Sequence, residues 1–592
     1  MGKQMAMLLG AMASVLLTWG ALFLVFAGVG LLALRAFRLR ATGWKRWLAC
    51  FWVGWALALV LLQIWHLWFA VDWRALAAVT VLGAAGLAGQ RGELWRAARR
   101  LPKEWLFCAV MLAVAVRLAN RAVGLPDHID AGYYHFAAIR WAQAYPIVPG
   151  LGNLHNPLAI NSAHFLYVAM LDVGPWAHRA QHLANGLLLM AALAGAFAAV
   201  FAVCRRAAVA RRSELFLALS MPALWTQAAF DPSAANEMFI RLVSSPTPDL
   251  PVFVLGLVAA GQLLAFIEDR DAQADEAAFS LFSIAAVTVA GSIVKLTFAA
   301  YGATALVVAL AVWGVRHGRR AGAAWALLLS LALVVAGLVP WAVRSVILSG
   351  YVAYPVPATA VGVDWRMPIE VVVREAATVR GHAQWSVGGG GWGWLGHWVS
   401  AVAQVAMATI VLPLGATVAV CLVVACAWLR RRFAERTPRA LYLFFVPAGI
   451  ALPFWFLTAP NPRFAGALFW VAAAGVTAMA VKALARRQRG VAVWAALGSA
   501  GVMSAVIFLG ISVNGPGADK GFHPIPQVAV VSFVTRSGLS VFVPGNDILC
   551  WDAPLPCTPL PRRELRLRRE GDMARGFVLD LKPGSRKARS GP

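Results

Sequence analysis

One polar insert carries most of the chain's reactive side chains. From Leu125 to Asn161 it reads LPDHIDAGYYHFAAIRWAQAYPIVPGLGNLHNPLAIN and directly follows an apolar run. Two carboxylates, Asp127 and Asp130, stand three residues apart within it. Acids just outside hydrocarbon more often mark a working site than a scaffold, because charge near lipid is costly. Such a pair suits a general base with a second acid beside it, or two ligands that could hold Mg²⁺ or Mn²⁺. Beyond Asp130, the spacing of Tyr133, Phe136, Ile139 and Arg140 predicts an amphipathic helix along the interface, with Asp130 at its N-cap. Capping and catalysis are thus alternative duties for that carboxylate.

Other charged residues fall at the ends of apolar runs on the same predicted side. Asp249 opens one run in SSPTPDLP, and Lys295 sits in a tight turn between two more. Arg344 lies near the end of another, and Arg463 lies in APNPRF, where Pro460 and Pro462 restrict the backbone. Arginine can grip a phosphate through two parallel N–H donors. At a membrane surface it can equally reach out to lipid headgroups. Tyr134 and His155 in the first polar insert, and His382 in a later one, are further candidates for substrate contact. The histidine spacings match no zinc signature.

The elements that must position these groups are membrane helices. The chain has 592 residues, 61% of them hydrophobic, with a mean hydropathy of +0.71. Soluble domains hold ~45–50% apolar residues. The excess lies in continuous apolar runs, against the alternating pattern of a β-barrel. Fourteen spans are predicted: roughly 6–34, 47–69, 75–89, 105–121, 181–203, 213–230, 251–267, 278–294, 298–315, 322–347, 399–428, 440–459, 464–481 and 491–513. The reading is an all-α polytopic membrane protein.

The net charge of +26 resides in short basic clusters between the runs, which argues for cytoplasmic loops and against nucleic-acid binding. With the N-terminus outside, the inner loops hold 27 Lys and Arg, and the outer segments before residue 514 about ten. This orientation leaves 122–180, 348–398 and the chain from 514 on the outer, extracytoplasmic side. The transmembrane domain is then 1–513. Strand-like runs within 514–592 predict a small mixed α/β C-terminal domain, ending in a disordered tail. Cys550 and Cys557, seven apart in CWDAPLPC, would form a disulfide in that oxidising space. The Gly388–Gly391 run reads as a tether or as a hinge.

The order of span, outer loop, Asp130 and Tyr-bearing surface helix in DAGYYHFAAI resembles the GT-C membrane glycosyltransferases, such as the lipid A aminoarabinose transferase and the protein O-mannosyltransferases. That resemblance implies a GT-C-like fold and a catalytic or metal-linked role for Asp130. It also implies a polyprenyl-phosphate sugar donor, with a cell-envelope glycan, lipid or protein as acceptor. The stretches PIVPGLGNLHNPLAINSAHF, SSPTPDLPV, SGYVAYPV, APNPRF and CWDAPLPCTP are similar to a large group of bacterial membrane proteins of this length, which implies no particular activity. The alternatives are a polysaccharide polymerase or ligase, which would lean on Arg and His, and a lipid-linked glycan transporter, which would carry charge at the membrane midplane.

Overall fold

A computed structural model describes residues 2–41, 45–90, 92, 99, 104–228, 242–318, 323–385, 391–429, 437–484, 486–514, 521–545 and 547–580. Gly388 to Gly390 and the last twelve residues lie outside these ranges. Among the described residues, eleven helices are long and apolar enough to cross a membrane. They are Gly2–Ala36, Arg46–Trp65, Trp105–Ala122, Gln181–Arg205, Asp249–Glu268, Ala274–Val294, Leu296–His317, Ala323–Ser349, Met407–Ala427, Arg439–Thr458 and Arg489–Phe508. Two shorter apolar helices are Trp73–Ala88 and Leu468–Ala483. The chain is a helical, multi-pass membrane protein.

The expected span over 213–230 is divided. Its described part forms two eight-residue helices, Arg212–Leu219 and Met221–Ala228, parted at Ser220. Pro222 has no N–H to give the carbonyl four residues back, so a continuous ladder is interrupted there.

Small residues let the first helices meet backbone to backbone. A Cβ added to Gly28 would lie 2.2 Å from the Gly83 carbonyl oxygen, and one on Gly54 would lie 1.8 Å from that of Phe26. In lipid, where apolar side chains gain little by leaving the solvent, such close approach is a main source of helix association.

The two long loops and the chain beyond residue 521 pack together on one face of the bundle. There β1 (Val530–Val534) pairs antiparallel with β2 (Ser540–Pro544), and β3 (Leu565–Leu567) with β4 (Phe577–Leu579). Cys550 and Cys557 are joined in a disulfide between the two hairpins. This segment is not a free-standing unit. Val541, Leu565 and Phe577 share one core with Trp141, Leu151, Leu158 and Leu348. The Phe577 N–H donates to the Pro149 carbonyl at 2.9 Å, and the Trp551 N–H to that of Gly132 at 3.0 Å. The Trp551 ring lies flush on Gly132, where even a Cβ would come within 2.5 Å.

Candidate functional site

In the insert after the Trp105–Ala122 helix, Asp130 lies in helical backbone, followed by a π-turn, Ala131–His135, and an α-helix, Phe136–Ala144. The Asp130 side chain makes no capping bond, although it sits at the N-cap position. Its Oδ2 pairs instead with Arg463 Nη2 at 2.9 Å. The helix is not laid bare along the interface either. Arg140 pairs with Asp552 at 3.0 Å, and Trp551 covers Gly132. A π-turn widens the helix by one residue and is often found at functional sites; here it lies between Asp130 and the apolar face of the helix.

Arg463 arrives from the other end of the sequence. Pro462–Ala465 is a single 3₁₀ turn, capped by Asn461 Oδ1 accepting from the Arg463 N–H at 3.1 Å. Two indoles hold the turn: Trp398 donates to the Pro460 carbonyl and Trp455 to that of Asn461, each at 2.8 Å. The Arg463 guanidinium bridges two acids, since its Nη1 lies 4.0 Å from Asp249 Oδ2.

Asp249 is placed by a buried amide. Asn185, on the Gln181–Arg205 helix, directs Nδ2 at the carbonyls of Leu242, Ser245 and Thr247, at 2.8, 2.8 and 3.0 Å. Ser244 donates to the Leu125 carbonyl at 2.9 Å, tying this segment to the start of the acid-bearing insert. Thr247 donates to Asp249 Oδ2 at 3.3 Å. Lys295, leaving the Ala274–Val294 helix in extended backbone, donates to Asp249 Oδ1. Lys295 and Arg463 also both lie over the Phe464 ring, 4.6 and 5.4 Å from its centroid.

The four charges Asp130, Asp249, Lys295 and Arg463 therefore form one cluster. Burial would push the Asp130 carboxyl up, but Arg463 and the smaller contributions around it together outweigh burial and hold the group down at about 2. His128 lies between the acids: its Nδ1 accepts from the Asp130 N–H at 3.1 Å, and its Nε2 is 3.9 Å from Asp249 Oδ2. Burial lowers the pKa of His128 and drives that of His135 well down, so both rings are neutral. Among the described residues, neither ring nitrogen of His135 has a hydrogen-bond partner. Tyr134 stacks edge-on against His135 at 4.4 Å, and burial drives its phenol pKa well up, with Asp130 adding to the effect.

The structure assembles these candidates selectively. Asp127 is half-buried, yet the second acid of the cluster is Asp249, brought in from 119 residues further along the chain. Among the described residues, no three His, Cys, Asp or Glu side chains converge as a metal-binding group. The acids face Arg463 and Lys295 instead. Arg344 is elsewhere: it contacts His66, and its Nε donates to Asn161 Oδ1 at 3.3 Å, in a small buried pocket that Phe165 also lines. It falls short of the cluster because it is five residues inside its helix. His382 is exposed in the last turn of the Ile369–Gln384 helix. His155 packs its ring on Tyr133, with centroids 4.7 Å apart. The sequence reading missed His128, although it stands between the two acids it singled out, in PDHID.

Beside the cluster, Val252, Gly256, Phe298, Tyr301, Phe464 and Leu468 line an apolar cleft between helices. Phe464 belongs to both, so the charges stand at the cleft's edge.

The fold and site define a multi-pass membrane protein with an acid–cation cluster at one end of its bundle. Residues 12–470 match the family described as Domain of unknown function (DUF8201), and the chain belongs to that family. The matched region includes all four clustered charges and stops before the strands. No curated protein and no solved structure matches the chain.

Proposed function

We propose that the protein is an inverting glycosyltransferase, moving a sugar from a polyprenyl-phosphate carrier to a cell-envelope acceptor at the outer face of a bacterial inner membrane. One observation carries this reading: two carboxylates share one arginine, with a lysine beside them, at the edge of an apolar cleft. A phosphate on a lipid tail needs both halves of that arrangement. Its head seeks fixed cations, and its tail stays in the hydrocarbon beside them. The charges gather at one end of the bundle, whereas a flippase would be expected to carry them midway.

In the transfer step the acceptor oxygen attacks the sugar's anomeric carbon. The bond from that carbon to the phosphate oxygen breaks, and its electron pair leaves with the phosphate. Arg463 and Lys295 balance the growing charge on the leaving group, a role that works best in a site shielded from water. The acceptor hydroxyl proton passes to a carboxylate, for which Asp130 is positioned and already ionised. Asp249 holds Lys295 and orients Arg463. Because Arg463 and Lys295 supply the positive charge, transfer is expected to proceed in EDTA.

The test is transfer from polyprenyl-phosphate sugars in membranes carrying Asp130→Asn or Arg463→Gln. Transfer at the wild-type rate in Asp130→Asn would remove that residue from the mechanism. Thiol labelling near residue 130 from the cytosolic side only would refute the orientation.

A further inference from the structure

A second set of polar residues adjoins the cluster, built from all three segments of the loop face. Asn156, in a short 3₁₀ turn of the first insert, donates through Nδ2 to Glu375 Oε2 at 3.0 Å and accepts from Arg562 Nη2 at 2.5 Å. Glu375 comes from the Ile369–Gln384 helix and Arg562 from the stretch before β3. Tyr354 lies among Glu375, Arg562 and Tyr133. Tyr133 in turn faces both Glu375 and Asp130, three residues before it in the chain.

This set is incomplete as a purely structural network. Among the described residues, Tyr354 Oη, His155 Nε2 and Arg562 Nη1 are buried with no hydrogen-bond partner, and Tyr354 and His155 are only 7% and 4% exposed. Buried polar atoms are almost always paired, so three orphans in one place call for a partner rich in hydroxyl groups. The charges balance, with Glu375 and Glu564 set against Arg562 and Arg374. That balance favours a neutral polyol over a polyanion. Aromatic rings beside a carboxylate, an amide and a guanidinium offer both a flat apolar surface and paired donors and acceptors, which is what a sugar ring presents in return.

We propose that Tyr133, Asn156, Tyr354, Glu375 and Arg562 form a binding site for a neutral carbohydrate, the acceptor whose hydroxyl is delivered past Tyr133 to Asp130. The proposal rests on the glycosyltransferase reading for the word acceptor, but the binding site itself does not. The order of parts gives the site a division of labour. The membrane-embedded loops hold the carrier, and the strand-bearing segment brings Arg562 to the acceptor.

The experiment uses the full chain in nanodiscs on an array of neutral cell-envelope oligosaccharides, with undecaprenyl phosphate binding to the wild type measured in parallel. The expected result is retention of at least one glycan by the wild type. Glu375→Gln should weaken it at least tenfold. Tyr354→Phe, which keeps the ring and removes one hydroxyl, should weaken it about threefold with an unchanged melting temperature. A wild type that retains no glycan, or a Glu375→Gln protein that retains it fully, overturns the site. A wild type that retains glycan but not undecaprenyl phosphate leaves the site standing and overturns the donor reading.

Discussion

The Asp249–Glu268 helix carries an acid at each end, and the two ends use theirs differently. At one end Glu268 turns back on its own neighbourhood: its carboxylate accepts from the Arg212 N–H at 2.8 Å and from the Ser213 N–H and hydroxyl at 3.1 and 2.9 Å. This caps the start of the adjoining Arg212–Leu219 helix. Glu268 also pairs with Arg212 at 3.7 Å, while the neighbouring ion pairs are solvent-facing, such as Arg205 with Glu104 at 2.6 Å and Arg211 with Asp269 at 3.1 Å. At the other end Asp249 accepts no backbone N–H as a helix cap and faces Lys295, Arg463 and His128 from three separate elements. Exposed pairs contribute little because water screens them. Charges withdrawn from water are costly unless well paired, so a cluster of four is poor economy for stability alone. The contrast separates charge that finishes a fold from charge that, under the proposed function, meets a ligand.

Substitution at the two ends should expose that difference. Arg463→Gln is expected to lower transfer from a polyprenyl-phosphate sugar about a thousandfold, in line with the loss of a transition-state cation. Arg212→Gln, at the other end, should leave it within a factor of two. Asp249→Asn should cost about a hundredfold in transfer, because Lys295 and Arg463 lose their alignment. Glu268→Gln should instead lower stability by about 1 kcal/mol, the scale of a lost cap, while leaving turnover of folded protein unchanged. If Glu268→Gln cost as much turnover as Asp249→Asn, the comparison would fail.

Acid should act on the loop face before the rest. Burial lowers the pKa of His155 to about 4. Above pH 6.5 its ring is neutral in the folded and unfolded chain alike, and it has no effect on stability. Between pH 6.5 and 4 the unfolded chain takes up a proton that the folded chain refuses, so stability is lost as pH falls, by about 3 kcal/mol. Asp130 adds its own loss only further down, toward pH 2. Hydrogen exchange across residues 521–580 should quicken over the upper window, and His155→Asn should flatten that response. The smallest effect is expected at the solvent-facing pair: Glu104→Gln should change neither melting temperature nor transfer measurably.

The membrane helices were legible from the sequence because an apolar run of sufficient length has few other uses. Within 213–230 hydropathy alone does not report the break at Ser220, which Pro222 imposes on the described residues. Asp130, Asp249, Lys295 and Arg463 stood out because each interrupts apolar sequence at a run's end on the same predicted side. Their pairing was not legible. Adjacency suggested Asp127 as the partner of Asp130, whereas the fold brings Asp249, steered by a single amide on Asn185. Arg344 shows the converse, a charged residue near a run's end that the helix keeps among His66 and Asn161. The Glu375–Asn156–Arg562 set joins residues more than 180 positions apart. No local pattern reports such a meeting, and its members look like ordinary loop residues until the segments pack.

The stack of Trp551 on Gly132 has a consequence for the order of events during synthesis. A ribosome makes the helix bearing Asp130 early and delivers Trp551 and Arg562 only after more than four hundred further residues. Until then the acid-bearing turn lacks its lid, and the three-segment polar set lacks its arginine. A chain cut short after its last membrane helix would carry every charge of the cluster yet lack the cover of Trp551 and the contact of Arg562 with Asn156.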